Sequence, residues 1–188
     1  SQLSIFSALN NLTDITMDSR YAAICGITKD ELLTALMPEV EAMANKNGQS
    51  VEKLLDELKC RYDGYHFTED CPDIYNPFSL LNCLKHQKLK NYWYSTGTPT
   101  LLTKEISQYV IDPEELDNIT TGEMEMNAPM ERADSPITVM YQSGYLTIKD
   151  YDCGIYTLGF PNEEVRVSFL KGLLPYYAHK TITEGVSF

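Results

Sequence analysis

Four times in this chain a capping residue stands directly before a proline: Asn76-Pro77, Thr98-Pro99, Asp112-Pro113 and Ser135-Pro136. At the first position of a helix the missing N–H of proline costs nothing and its fixed φ is already helical, so each pair marks a helix start. Asn76-Pro77 leads into Leu80, Leu81 and Leu84, and Thr98-Pro99 into Leu101, Leu102, Ile106 and Tyr109. Such stripes must be buried against a partner. Thr28 with Glu31 spells a capping box, followed by Leu32, Leu33, Leu36, Val40 and Met43 at helical spacing. Pro38 should kink or divide that stretch, giving one or two helices over Lys29 to Ala44. Ser50 can cap a further helix on which Leu54, Leu55 and Leu58 form the apolar face, and this helix should stop before Gly64.

After Ser135 the pattern changes. A short helix through Tyr141 ends at Gly144, Tyr145 to Ile148 is rich in strand formers, and Asp152-Cys153-Gly154 is a turn sequence. Ile155 to Leu158 mirrors the first strand, and Pro161-Asn162 precedes a helix opening on Glu163-Glu164. Helix, hairpin, helix is the element order of the wing portion of a winged-helix module, and also of other α+β packings. Between Asp112 and Asp134 there are eight acidic residues and one basic residue, Arg132. That composition predicts a solvated loop or irregular segment and places a weak boundary there. The expected fold is α+β and mostly helical: a helical bundle over residues 1–125, then a winged-helix-like unit over 126–188. Ser4 to Ser7 looks like the end of a buried strand, so the chain should begin in mid-domain.

Composition narrows the function classes. Lys plus Arg number 15 against 27 Asp plus Glu, a formal charge of −12 over 188 residues. Such a field repels polyanions and argues against broad binding to duplex DNA or anionic lipid. One small basic run, Lys85, His86, Lys88 and Lys90, is where nucleic acid would be sought. Apolar runs fall far short of the ~20 residues of a membrane span, and no signal peptide is read, so a cytoplasmic chain is expected. Five widely spaced cysteines without C-x-x-C fit reduced thiols in a core, and their gaps match no zinc spacing. There is no G-x-x-x-x-G-K-[ST] phosphate loop and no G-x-S-x-G elbow. His66, His86 and His179 have no context that marks a base, so neither a catalytic residue nor a metal ligand is assigned.

Four segments pair rigid rings with glycine or proline: Tyr62-Asp63-Gly64-Tyr65-His66-Phe67, Asn76-Pro77-Phe78-Ser79, residues 92–99 and Tyr141 to Leu146. Rings bury large areas and glycine permits close approach, so these segments either hold a flat ligand or lock helices to the hairpin.

The order S-x-F-S-x-L-N-N-L-x-D-I-T (Ser4 to Thr16), Y-A-A-I-C-G-I-T (Tyr21 to Thr28), Y-D-G-Y-H-F, Y-N-P-F-S-L-L, Y-W-Y-S-T-G-T-P-T-L-L, Y-Q-S-G-Y-L-T-I-K and L-G-F-P-N-E-E-V-R (Leu158 to Arg166) resembles the AAA-ATPase-like proteins of gut bacteria. Full chains of that family usually end in a restriction-endonuclease-like domain. The resemblance implies a middle piece, departing from the family by truncation: the P-loop core would precede it and the nuclease-like domain follow it. Its partners would be those two domains, and ATP with magnesium would be the cofactors of the parent protein, with none expected to bind this chain strongly. The helices up to about Tyr109 would form a lid over the nucleotide. Tyr62, Asp63, Gly64, Tyr65, Asn76, Pro77, Gly97 and Pro99 are the lid positions implied to sense nucleotide, and Arg166 is a candidate sensor of phosphate charge. The local alternatives stay open: Gly64 as a helix end, Asn76-Pro77 as a helix start, Asp63 as a turn residue, Arg166 as half of a surface pair with Glu163 on one helix face. The expected function is a non-catalytic regulatory fragment that couples nucleotide state to its neighbours. The alternatives are a protein-interaction module with an acidic docking segment, or weak nucleic-acid binding through the wing.

Overall fold

A computed structural model of the chain describes residue 13 and residues 15–69, 71–93, 115–126, 128 and 135–184, the last helix by its backbone alone beyond 174. Among the described residues the chain is α+β: helices with one small antiparallel sheet.

The capping chemistry sets the helix starts. Helix α1 spans Lys29–Thr34, with the Thr28 hydroxyl accepting from the Glu31 N–H and the Glu31 carboxylate accepting from the Thr28 N–H. Pro38 divides the stretch instead of kinking it: α2, Met37–Asn47, begins there with proline in its first turn and ends at Gly48 in the left-handed region. Ser50 caps α3, Val51–Tyr62, and Asn76 caps α4, Pro77–His86. Leu32, Val40, Met43, Leu54, Leu58, Leu80 and Cys83 from these four helices close one apolar cluster, all nearly or wholly excluded from water.

The second half builds the sheet. Strand β1, Ile119–Gly122, follows a 3-10 turn at Glu115–Asn118 and runs into the short helix α5, Glu123–Met126. Helix α6, Pro136–Gln142, is capped by Ser135. Strands β2, Thr147–Asp152, and β3, Ile155–Gly159, form a hairpin, and α7, Glu163–Glu184, closes the chain. The sheet order is β1-β3-β2. Cys153 and Gly154 both have positive φ, 49° and 88°, as a two-residue hairpin turn matched to strand twist requires. Strand β2 starts two residues later than the sequence suggests, because Tyr145 and Leu146 serve as core residues below the strand, their N–H groups bonded back to the Met140 carbonyl. Much of the stretch from 115 to 126, expected to be irregular, is ordered: Ile119 pairs with Leu158 and Gly122 with Ile155. The edge strand itself, Ile-Thr-Thr-Gly, carries no acid, and Glu123 and Glu125 just after it are exposed.

A second apolar cluster lies beneath this sheet, made by Leu116, Met126, Met140, Tyr145, Ile148, Tyr156, Leu158, Phe160, Val165 and Phe169 together with Tyr65 and Ile74. The loop between α3 and α4 therefore serves both clusters. Tyr75, like Tyr62 at the end of α3, enters the helical cluster, and Tyr65 and Ile74 enter the sheet cluster. Reciprocal backbone bonds Tyr65–Ile74 and Ile27–Tyr75 brace it.

Candidate functional site

The loop from 63 to 76 lies along two clefts. The first has a volume of about 340 Å³ and is walled by Tyr65, Phe67, Tyr75, Trp93 and Tyr141, with the cap pair Asn76-Pro77 at its rim. Tyr65 stacks on Phe67 with ring centroids 6.1 Å apart, and its hydroxyl donates to the Gly144 carbonyl at 3.0 Å. Trp93 meets Tyr145 edge to face at 4.7 Å. Burial raises the phenols of Tyr65 and Tyr75 far above their ordinary range and pushes Tyr141 up to about 12, so all three stay protonated at neutral pH. None of the described residues that line this cleft carries a charge.

The second cleft, about 350 Å³, is polar: Asp56, Lys59, Cys60, Asp63, Gly64, Asp73, Lys149 and Pro161 line it. The β2–β3 register slips between Ile148 and Asp150, so Lys149 occupies a bulge and its Nζ donates to the Pro161 carbonyl at 3.4 Å. Burial lowers the Lys149 ammonium pKa, opposed by Asp73, Asp117 and Asp63. Burial raises the Asp63 carboxyl, opposed by the Gly64 N–H. Gly64 has φ +95°, and a Cβ there would run into the Pro161 carbonyl. The same junction is tied by Asn162, whose amide donates to the Asp63 carbonyl at 3.0 Å while its oxygen caps α7 at the Val165 N–H.

The third feature is Glu164, 1% exposed, in the first turn of α7. Its Oε1 accepts from the Trp93 backbone N–H at 2.9 Å. Burial raises its carboxyl; the Ser79 hydroxyl, the N–H groups of Trp93 and Tyr92 and the Arg61 charge oppose that rise.

The structure thus separates the candidate residues. Tyr65, Asn76 and Pro77 meet in the aromatic cleft, and Asp63 and Gly64 sit together in the polar one. Tyr62 lines neither cleft: it is buried among helices, where its hydroxyl donates to the Lys90 carbonyl at 2.7 Å and accepts the Lys90 N–H. Gly97 and Pro99 lie outside the described residues, as do the helix starts at Thr98 and Asp112. Arg166 faces Asp117 at 3.7 Å, both half exposed, a surface pair whose partner is on the 3-10 turn and not the neighbouring Glu163. Of the cysteines, Cys71 and Cys83 are buried as expected, whereas Cys25, Cys60 and Cys153 are exposed, because each sits on a turn or an outer helix face. Among the described residues, no group of three or more His, Cys, Asp or Glu converges as a metal site, and no helix is long and apolar enough to cross a membrane.

Trp93, Lys149 and Glu164 were not singled out as site residues by the sequence. A ring in Tyr92-Trp93-Tyr94 was a usable signal for the first; nothing in Glu163-Glu164 distinguishes the exposed acid from the buried one.

Over 181 residues the chain is 34% identical to "Uncharacterized protein in vnfD 5'region" of Azotobacter chroococcum mcd 1, an alignment covering 94% of this chain and 33% of that protein. No protein-family model matches the chain, and no solved structure matches it. The chain spans about a third of the length of the curated relative to which it is similar.

Proposed function

We propose that this chain is the non-catalytic regulatory part of a larger AAA-ATPase-like protein, closing over an adenine nucleotide and passing its state to neighbouring domains. One observation carries the reading: the aromatic cleft is walled from both halves, by Tyr65, Asn76 and Trp93 on one side and by Tyr141 to Gly144 on the other. Whatever fills it bears on the helices and on the sheet-bearing unit together. Uncharged, ring-lined walls fit a flat base, and about 340 Å³ is within the usual range for a small-molecule pocket. In this reading the phosphate-binding lysine and magnesium belong to the rest of the larger protein, where the metal would neutralise charge in phosphoryl transfer from ATP. The strand order β1-β3-β2, with α5 and α6 between β1 and β2, supports the winged-helix-like reading of the second unit.

Calorimetric titration of ATP tests this. The chain alone should give no saturable heat, and the full-length protein should bind, with Trp93→Leu or Tyr141→Leu weakening binding at least about tenfold, the equivalent of ~1.4 kcal/mol. Tight, magnesium-dependent binding or turnover by the chain alone sinks the lid reading, and unchanged affinity in both variants removes the cleft from it.

A second reading, protein docking through the second unit, is favoured by the hairpin, whose exposed Asp150, Asp152 and Ile155 present acid and apolar surface together. The same acids oppose nucleic acid there.

A further inference from the structure

Glu164 is buried at a place where none of the usual duties of an acid in a first helical turn requires it. The cap of α7 is already supplied by Asn162, whose Oδ1 takes the Val165 N–H at 3.1 Å. Favourable charge at the helix N-terminus is supplied by Glu163, which is exposed and so free of any desolvation cost. A buried carboxylate persists where it is hydrogen-bonded, and the bond here runs from the Trp93 N–H. Position 93 is also where the chain passes between the two apolar clusters: Tyr92 packs against the helical one and Trp93 against the sheet one. The preceding residues are held as well, by Tyr62 at the backbone of Lys90 and by the Tyr92 hydroxyl donating to the Lys88 carbonyl. Glu164, whose carboxylate faces the N–H groups of both Trp93 and Tyr92, is the polar tie between this segment and the first turn of α7, beside the packing of Trp93 on the sheet cluster.

We propose that Glu164 is the positioning residue of the aromatic cleft: by accepting the Trp93 N–H it fixes the backbone that carries the indole as a cleft wall, so that losing this contact loosens the wall that Tyr145 also braces. That an adenine ring is what the wall meets rests on the functional reading above, whereas the clamp itself is a property of the protein without ligand.

Trp93 is the single tryptophan of the chain, so its fluorescence reports this wall alone. Glu164→Ala should move the emission to longer wavelength and raise acrylamide quenching while far-UV ellipticity is retained. Glu164→Gln, which keeps Oε1 as an acceptor, should stay closer to the parent than Glu164→Ala does. Unchanged emission in Glu164→Ala overturns the proposal, and so does a Gln variant displaced as far as the Ala variant. Should Glu164→Ala fail to fold, amide exchange in the parent protein decides: the Trp93 N–H should be protected, and free exchange there overturns the clamp. Failure of ATP to bind the full-length protein would sink the nucleotide reading and leave these outcomes intact.

Discussion

At the residue scale, Gly64 and Asn162 show how a position read as punctuation becomes a joint. Gly64 does follow the end of α3, as a helix-stopping glycine should, but its constraint comes from 97 residues further along, where the Pro161 carbonyl fills the space a side chain would need. Two penalties combine in Gly64→Ala, a left-handed φ and a backbone collision that no rotamer relieves. Urea unfolding should show a loss of more than about 2 kcal/mol, and a loss below ~0.5 kcal/mol would mean the close approach relaxes freely. The φ preference was legible from the sequence; the collision was not, because it depends on a contact between distant segments. Arg166 teaches the same lesson in reverse. Sequence neighbours suggested Glu163 as its partner, and the fold supplies Asp117.

At the element scale, helix starts were the most readable feature, since capping is a local transaction among four or five residues. Asn76 is the informative case because it is both the cap of α4 and a residue at the rim of the aromatic cleft. Its Oδ1 accepts the Ser79 N–H at 3.1 Å. Asn76→Ala should therefore cost about 1 kcal/mol in chemical denaturation, and Asn76→Ser should recover most of it. If ATP affinity of the full-length protein follows the same order as stability, Asn76 acts through the cap; if Ser restores stability without affinity, the amide itself touches the ligand. Strand limits were less readable. The hairpin turn at Cys153-Gly154 announced itself through its special residues, but Tyr145 and Leu146 have the same strand-forming character as Ile148 and were assigned to the core by packing.

For the whole molecule, two buried acids set a pH dependence. Burial raises the carboxyls of both Asp63 and Glu164. The folded protein then retains protons that the unfolded chain has released, so stability falls as pH rises from the ordinary carboxylate value of about 4 through the raised folded values, and the burden is complete above them. Asp18 and Glu31, whose carboxyls are lowered by Arg20 and by the Thr28 N–H respectively, act below that ordinary value and leave the window clear. Urea midpoints should decline as pH rises above the ordinary carboxylate value of about 4, and Glu164→Gln should flatten the decline; a midpoint that climbs with pH there would contradict the burial of these acids. The chain's own letters determined the alternation of capped amphipathic helices with one hairpin, and the negative charge that weighs against polyanions, because caps, periodicity and net charge are local or additive properties. Only the tertiary structure decided that the α3–α4 loop would serve two cores, that Trp93 would face a cleft, and that Glu164 and not its twin Glu163 would be buried, because burial is conferred by segments far away in sequence and leaves no mark on the residue itself.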